Sequence, residues 1–219
     1  MTVDTRKKPP AGGSRVNDPE GTQRNIIEVA SKEFAKSGLS GARIDEIAAK
    51  TKSSKRMIYY YFGDKEGLYL KVLEAAYSKV RTEEASLDLQ HLPPREALET
   101  LVRFTFDHHS ANESFIRLVM IENIHNGAFL AKSQVIQRLN VGVIDAVAEL
   151  YGRGVRAGIF RAGLDPTELH WLISALCFFN VSNRATFSNI FKRDLATKKA
   201  HAQLRAQVVE MMTRYVAAT

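Results

Sequence analysis

The segment from Ile44 to Lys65 constrains the fold of this 219-residue chain more than any other part of it. Ile44, Ile47 and Ala48 fall at positions i, i+3 and i+4, which is the spacing of one face of a short helix. After a brief polar stretch, Ser54 can cap a second short helix by accepting a backbone N–H of its first turn. Two short helices joined by three or four residues are typical of a helix-turn-helix.

The second helix of this pair has an apolar face and a face rich in cations and hydroxyl groups. Ile58 and Phe62 are four residues apart and can pack inward together. Asp64 can cap a third helix, which places Lys65 beside the same surface. The N-terminal end of a recognition helix is where base edges and phosphates are met. The side chains left on the outer face are Lys55, Arg56, Met57, Tyr59 and Tyr60.

The net charge of +7 is concentrated around this segment. Residues 1–60 carry 12 Lys and Arg against 7 Asp and Glu, whereas the rest of the chain carries 19 against 17. A basic end of this kind is expected of a protein that binds a polyanion. Part of the excess lies in residues 1–21, a polar stretch rich in Pro and Gly that we predict to be a disordered basic tail. A solvated surface helix pair in an all-α protein is the alternative interpretation.

Four short segments carry a more specific signal when they are taken as a set. They are Ile47-Ala48, Ser53-Ser54-Lys55, Ile58-Tyr59-Tyr60-Tyr61-Phe62 and Asp64-Lys65-Glu66-Gly67-Leu68. The set resembles the DNA-binding domain of TetR-family transcriptional regulators, over about residues 22–70. The resemblance implies a helix-turn-helix domain at 22–66 and a helical ligand-binding and dimerisation domain at 67–219. Phe115-Ile116-Arg117-Leu118 and the apolar run 172–179 resemble a C-terminal domain type common in proteobacterial members.

The resemblance also implies which side chains meet double-stranded DNA. Arg43 stands where the family usually has a Thr that caps the helix and touches phosphate, and Lys52 stands in a turn where Gly is usual. Arg56 replaces a small residue, and a guanidinium there can pair with O6 and N7 of guanine. The implied DNA-binding residues are Arg43, Ser54, Lys55, Arg56, Met57, Tyr59, Tyr60 and Lys65.

The remaining sequence predicts helices and no strand, so we expect an all-α fold of about nine helices. Periodicity and caps place them at about 22–36, 44–51, 54–62, 65–84, 95–109, 115–124, 135–156, 166–191 and 197–216. Asp165-Pro166-Thr167-Glu168 is a strong helix start, with Asp as the cap, Pro in the first position and Glu in the third.

Regulators of the resembled family hold a small-molecule effector in a cavity between the helices of the second domain. Polar groups embedded in apolar helix faces would orient such a ligand. The alternative is that the aromatic side chains between residues 95 and 180 form an ordinary hydrophobic core. The candidates for the effector pocket are Phe104, His108, Asn123, His125, His170, Trp171, Phe178 and Asn180.

The sequence offers little to an enzyme or a metal site. Glu122 and His125 are three residues apart, but neither this pair nor His108-His109 has a recognised zinc spacing. The glycines at 152–158 follow a helix and lack the Lys-Ser/Thr end of a P-loop. We therefore expect no metal, no cofactor and no catalytic residue. A helical enzyme or small-molecule carrier with an incidental basic end is the alternative.

Two further expectations concern assembly and location. The apolar faces of the last two long helices are large enough to mark an interface, and we predict a homodimer built on them. The alternative is that both helices pack inside one subunit. A single cysteine, Cys177, and the lack of a ~20-residue apolar span or a signal peptide suit a cytoplasmic protein with no membrane contact. The predicted interface residues are Leu204, Val208, Met211, Met212 and Tyr215.

Overall fold

The protein is all-α, as predicted. The computed structural model describes residues 18–51 and 53–218, and this part contains ten α-helices, two 3-10 turns and no strand. None of these helices is long and apolar enough to cross a membrane. The helices are α1 (Pro19–Gly41), α2 (Ile44–Thr51), α3 (Lys55–Phe62), α4 (Lys65–Ala85), α5 (Pro94–Ala111), α6 (Glu113–Ile124), α7 (Gln134–Arg156), α8 (Pro166–Ser182), α9 (Arg184–Ile190) and α10 (Lys198–Val216), with 3-10 turns at Leu89–His91 and Leu130–Lys132.

The first helix is longer than predicted at both ends. Asp18 caps it by accepting the Gly21 N–H at 2.8 Å, so residues 19–21 belong to α1 and not to the predicted tail. Gly38 has a positive φ of 71° where the helix was expected to close, and one more turn follows this kink. The rest of the predicted tail, residues 1–17, and the turn residue Lys52 lie outside the described residues.

The predicted helix 166–191 is divided, which accounts for ten helices instead of nine. α8 ends at Ser182, and Asn183 departs from helical geometry at φ −108° and ψ 0°. The Asn183 side-chain amide donates to the Ser182 hydroxyl at 2.9 Å. Short polar side chains that bond locally compete with the helical hydrogen-bond ladder, and here two adjacent ones end the helix.

The N-terminal helices are built around one hydrophobic cluster, which we call the first cluster. Ile26 and Phe34 of α1, Ile47 of α2, Ile58 of α3 and Leu68 of α4 are all fully buried in it. Each of these four helices, including the short α2 and α3, therefore has an apolar side that packs into the same core. Burial of side chains this large contributes about 1.5–3 kcal/mol each.

The first cluster also contains side chains from the C-terminal helices. Leu118 of α6, Phe129 of the turn before α7 and Ile136 of α7 are buried in it. The ring of Tyr69, on α4, packs edge-to-face between Phe34 and Phe129, with centroid distances of 5.1 and 5.2 Å. The helix-turn-helix end and the C-terminal helices thus share a core around the first half of α4.

A second cluster holds the C-terminal helices together. It gathers α5, α7, α8 and α10 around buried side chains that include Phe106, Val147, Ile173 and Val208. Tyr151 belongs to this cluster, and its hydroxyl donates to the Arg161 carbonyl at 2.7 Å. This hydrogen bond connects the loop that precedes α8 to the cluster.

Two carboxylates tie α4 and α6 to the turn that precedes α7. Glu122 of α6 is buried, and its Oε2 accepts the N–H groups of Phe129 and Leu130 at 3.2 and 3.1 Å. Glu74 of α4 accepts the Ser133 hydroxyl at 2.8 Å, and Ser133 caps α7. Since buried polar groups are costly unless they are bonded, these contacts fix the approach of α7 to α4.

Gly67 allows α4 to start immediately beside the end of α3. A Cβ on Gly67 would come 2.1 Å from the Phe62 carbonyl oxygen. We predict that Gly67→Ala lowers the free energy of unfolding by about 1–3 kcal/mol, because the backbone must shift to relieve the overlap. Urea unfolding followed by circular dichroism measures this.

Gly142→Ala is the matched control for Gly67→Ala. A Cβ on Gly142, inside α7, would meet nothing within 4 Å. Removal of a helical glycine should then raise the stability by about 0.5–1 kcal/mol. A Gly67→Ala protein as stable as the unchanged chain would contradict the close approach.

Candidate nucleic-acid interface

The ends of α3 are fixed by its own sequence. The Ser54 hydroxyl accepts the Met57 N–H at 3.2 Å and caps the first turn, as predicted. At the other end Gly63 has a positive φ of 77°, and its N–H donates to the Tyr59 carbonyl at 2.8 Å. Because both ends are defined, the side chains of α3 stand in fixed directions.

One side of α3 is buried and the other faces solvent. Ile58 and Phe62 pack into the first cluster, as predicted. The opposite side therefore points outward, and Tyr60 at its centre is 78% exposed. We call this side the outer face of α3; its side chains are all exposed and comprise Lys55, Arg56, Met57, Tyr59 and Tyr60.

Asp45 lies beside two basic side chains, Arg43 and Lys55, where α2 and α3 meet. Its carboxylate forms an ion pair with Lys55 and lies 4.0 Å from Nη2 of Arg43. All three side chains are about half exposed or more, so water screens the pairs and they add little to stability. Arg43 contributes its carbonyl to the start of α2, where it accepts the Ile47 N–H at 3.2 Å.

Lys65 has a structural contact that the sequence did not indicate. Its ammonium donates to the Ser40 carbonyl at 3.1 Å, which joins the start of α4 to the end of α1. Asp64 caps the same helix by accepting the Gly67 N–H at 2.7 Å, as predicted. A lysine ammonium has three donors, so Lys65 keeps further N–H groups for another acceptor.

A buried carboxylate holds α2 against α1. Glu33 of α1 is buried, and its Oε2 accepts from the Lys50 ammonium of α2 at 2.8 Å. The hydrogen bond from Lys50 lowers the pKa of Glu33 despite its burial. This pair positions the helix that precedes the outer face of α3.

Some predicted pocket residues do lie at clefts between the C-terminal helices. Phe104 and His108 line an open cleft of about 480 Å³ between α4 and α5. His108 also lines a cleft of about 620 Å³ between α1, α4, α5 and α6. Burial is the main cause that lowers the pKa of His108 below its ordinary value.

The predicted pocket residues of α8 are more scattered. His170, Phe178 and Asn180 are partly buried, and the ring of Phe178 lies 6.5 Å from that of His109. Burial first, and then the charge of Arg81, lower the pKa of His170 to about 4. This histidine is therefore neutral at pH 7.

Three predicted pocket residues are exposed side chains. Asn123 and His125 stand at the exposed end of α6, and the Asn123 side chain donates to the Val119 carbonyl of its own helix at 3.1 Å. Trp171 is 73% exposed, because the helix turns Ile173 and not Trp171 toward the core. Within the described ranges, no three His, Cys, Asp or Glu side chains come together at a spacing that holds a metal ion.

Buried polar groups that the sequence did not indicate lie around the far end of α4. Arg81 and Glu84 form a largely buried ion pair there. Burial, and then the charges of His108 and Arg81, lower the pKa of His109 to about 4. The i, i+3 spacing of Arg81 and Glu84 was the available signal, but a charged pair on a helix is usually solvated.

Two of the predicted interface residues are buried within the chain. Val208 and Met212 are 5% and 2% exposed and belong to the second cluster of a single chain. Leu204 is partly buried and packs against the same cluster. Met211 and Tyr215 are exposed on α10, and Trp171 and Phe179 are exposed on α8.

Comparison with known proteins identifies the family. The profile described as bacterial regulatory proteins, tetR family, matches residues 26–72, and the profile described as tetracyclin repressor-like, C-terminal domain, matches residues 94–212. The HTH-type transcriptional repressor NicS of Pseudomonas putida is 36% identical over 97% of this chain and 98% of its own length. The chain belongs to the TetR family of bacterial regulatory proteins.

Solved structures share the fold. The fatty acid degradation regulator FadR of Bacillus halodurans superposes with a TM-score of 0.70 at 19% identity, over 95% of this chain and 97% of that one. FadR of Bacillus subtilis, solved in complex with stearoyl-CoA, gives a TM-score of 0.65 at 17% identity over 87% and 97%. The family and the geometry of α3 together define a helix-turn-helix transcriptional regulator that binds DNA.

Proposed function

We propose that this regulator is a repressor that binds a DNA operator as a homodimer and is released by a small-molecule effector in the cytoplasm. The observation that carries the proposal is the outer face of α3, which is exposed and rich in cations and hydroxyls while its opposite side is fixed in the first cluster. The similarity to a transcriptional repressor along nearly the whole chain supports the sense of regulation. The domain division at residues 22–66 and 67–219 is part of the proposal.

The outer face of α3 has the chemistry for both modes of contact with a duplex. Phosphate contacts position a protein on DNA, and base contacts specify the sequence. We assign Arg56 to the base edges, because it is exposed and has no ion-pair partner among the described residues. We assign Lys55, Tyr59, Tyr60 and Lys65 to phosphates, with Arg43, Ser54 and Met57 at the rim.

The proposed effector acts on the helices that contact α4. α4 begins beside the DNA-binding surface at Lys65 and ends among the clefts at Arg81 and Glu84. Tyr77 lies between these ends, and its ring packs on Phe115 of α6 at 5.3 Å. A ligand shifts a two-state equilibrium only by its difference in affinity for the two states, and a displacement of α4 supplies such a difference. The stearoyl-CoA complex of the Bacillus subtilis relative supports a ligand site in this fold.

Arg56→Ala tests the base-reading assignment. We predict a loss of about 1–3 kcal/mol at a guanine in the operator, with relaxed choice at that base pair. Lys55→Ala should weaken all sequences alike and lower the slope of log affinity against log salt by about one. Gel-shift titrations of the chain's own upstream DNA and a random fragment at several salt concentrations measure both.

Arg156→Ala is the matched control, because Arg156 is an exposed arginine at the far end of α7. It removes the same charge and should leave the affinity for both DNA fragments unchanged. If Arg56→Ala weakens operator and random DNA equally, Arg56 does not read bases.

The dimer is proposed to form on the exposed sides of α8 and α10. Large apolar side chains are left exposed on both helices, namely Trp171 and Phe179 on α8 and Met211 and Tyr215 on α10. Exposed apolar surface on neighbouring helices is a mark of interfaces. We predict that Phe179→Asp with Met211→Asp yields a folded monomer in sedimentation, because neither side chain is part of the subunit core.

Two controls make the result decisive. Val141→Asp, on an exposed site of α7, should leave the dimer intact. Val208→Asp should instead lower the unfolding temperature, because Val208 is buried in the second cluster. A dimer that persists in the Phe179→Asp, Met211→Asp protein places the interface elsewhere.

A further inference from the structure

A cleft of about 390 Å³ lies between the last turns of α4, the 3-10 turn Leu89–His91 and α7. Its lining includes the charged side chains of Arg81 and Glu84 of α4 and of Arg153 of α7. Its remaining wall is mainly apolar. The apolar lining consists of Ala85, Leu89, Leu139, Val143, Ala146 and Leu150.

The buried charges of this lining do not cancel. The guanidinium of Arg81 is paired with Glu84, and the two side chains are only 15% and 13% exposed. Arg153 instead donates to three backbone carbonyls, those of Leu89 at 2.7 Å and of Gln90 and Leu92 at 2.9 Å. Arg153 has no carboxylate partner within the described residues. Two guanidiniums and one carboxylate leave one positive charge.

The acidic side chains at the rim do not supply the missing negative charge. Asp88 and Glu149 are 62% and 64% exposed, so water screens them. Each also has another partner, since Asp88 bonds His91 and Glu149 pairs with Arg156 at 3.1 Å.

Both guanidiniums also have a donor to spare. The Nε atoms of Arg81 and Arg153 are buried and donate to no acceptor in the part of the chain that the structure describes. A buried donor left without an acceptor costs about 1–3 kcal/mol. A carboxylate is the acceptor that fits best, because charge-assisted bonds to a guanidinium are about twice as strong as neutral ones.

We propose that the α4–α7 cleft is the effector site and that the effector is a small organic acid, with a carboxylate beside an apolar body. The proposal rests on the effector-controlled function proposed above. In this proposal the carboxylate of the effector binds the guanidinium groups of Arg81 and Arg153. Its apolar body packs against the apolar lining residues of α7. The cleft volume is near the lower limit for ligand pockets, which favours a small acid over a large conjugate.

Matched pairs of acids and amides test the ligand class. The probes are hexanoate, phenylacetate and 3-phenylpropionate, each compared with its amide in thermal unfolding of the full chain at constant ionic strength. We expect at least one acid to raise the unfolding temperature while its amide does not. Amides that stabilise as well as the acids, or a panel in which no acid stabilises, would overturn the proposal.

Gly142→Leu tests the location of the site. Gly142 lines the cleft, and a Cβ there meets nothing within 4 Å, so a leucine at this position starts in open space and occupies part of the cleft. The filled protein should stay folded and lose the response to the acid. Gly152→Leu adds the same side chain to the same helix outside the cleft lining, where its Cβ first meets the flexible end of Arg156 at 3.2 Å, and should keep the response. An acid response that survives Gly142→Leu places the site elsewhere.

Arg153→Gln and Arg153→Lys test the role of charge. Both variants lack the planar guanidinium group, but only Arg153→Gln also removes the positive charge. The acid's Kd should rise about tenfold or more in Arg153→Gln relative to Arg153→Lys, the range expected for a bond to a charged group. Equal affinities in the two variants would show that the charge of Arg153 does not select the ligand.

Gel shifts of the upstream DNA separate this proposal from the proposed function. A stabilising acid should release the DNA from the unchanged chain and not from Gly142→Leu. If the chain binds DNA and is released by a neutral molecule, the acid proposal fails and the proposed function stands. If the chain binds the acid as described but never binds DNA, the proposed function fails and the assignment of the acid site stands.

Discussion

The burial of Tyr69 and its neighbours on α4 is the interaction on which the rest of the structure depends. The ring lies between Phe34 of α1 and Phe129 of the turn before α7, and it is fully buried. Burial raises the pKa of Tyr69, and the negative charge of Glu122 raises it further, so the hydroxyl stays neutral. The core around Tyr69 therefore contains side chains of both the DNA-binding helices and the C-terminal helices. Neither set can move relative to α4 without repacking that core.

The position of α4 in the shared core links the outer face of α3 to the cleft between α4 and α7. The outer face of α3 is exposed because Ile58 and Phe62 are buried on its other side, and their partners include α4. At the opposite end, α4 carries Arg81 and Glu84 to the cleft with α7. Close-packed cores transmit small displacements, because they lack the space to absorb them. A ligand beside the last turns of α4 would thus act on the first turns through the helix itself.

Local rules predicted much of this from the sequence. The caps Ser54, Asp64 and Asp165 each accept the N–H groups that their spacing indicated. The buried pair Ile58 and Phe62 followed from four-residue spacing alone. These caps and this pair involve residues within one or two helical turns of each other. They can therefore be predicted without knowledge of the tertiary packing.

The positions that the sequence could not place are those whose burial depends on helices far away in the chain. Val208 and Met211 are both apolar on α10, and only the placement of α5 and α8 decides that Val208 is core and Met211 surface. Asn123 and His125 interrupt an apolar stretch of the sequence, but their side chains are exposed because α6 ends there. The burial of Arg81 and Glu84 was not indicated because it depends on distant helices, such as α8, where the charge of Arg81 acts on His170.

Native-state hydrogen exchange tests the shared core most directly. The free energy of opening is compared for amides of α2, α3 and α6 in increasing denaturant, in the unchanged chain and in Leu118→Ala, whose side chain lies on α6 inside the first cluster. A shared core predicts that all three helices exchange through one common opening, and that Leu118→Ala lowers its free energy by a similar amount, about 2–5 kcal/mol, in each. If α2 and α3 exchange through a less costly opening that Leu118→Ala leaves unchanged, the DNA-binding helices form an independent unit and the account is wrong.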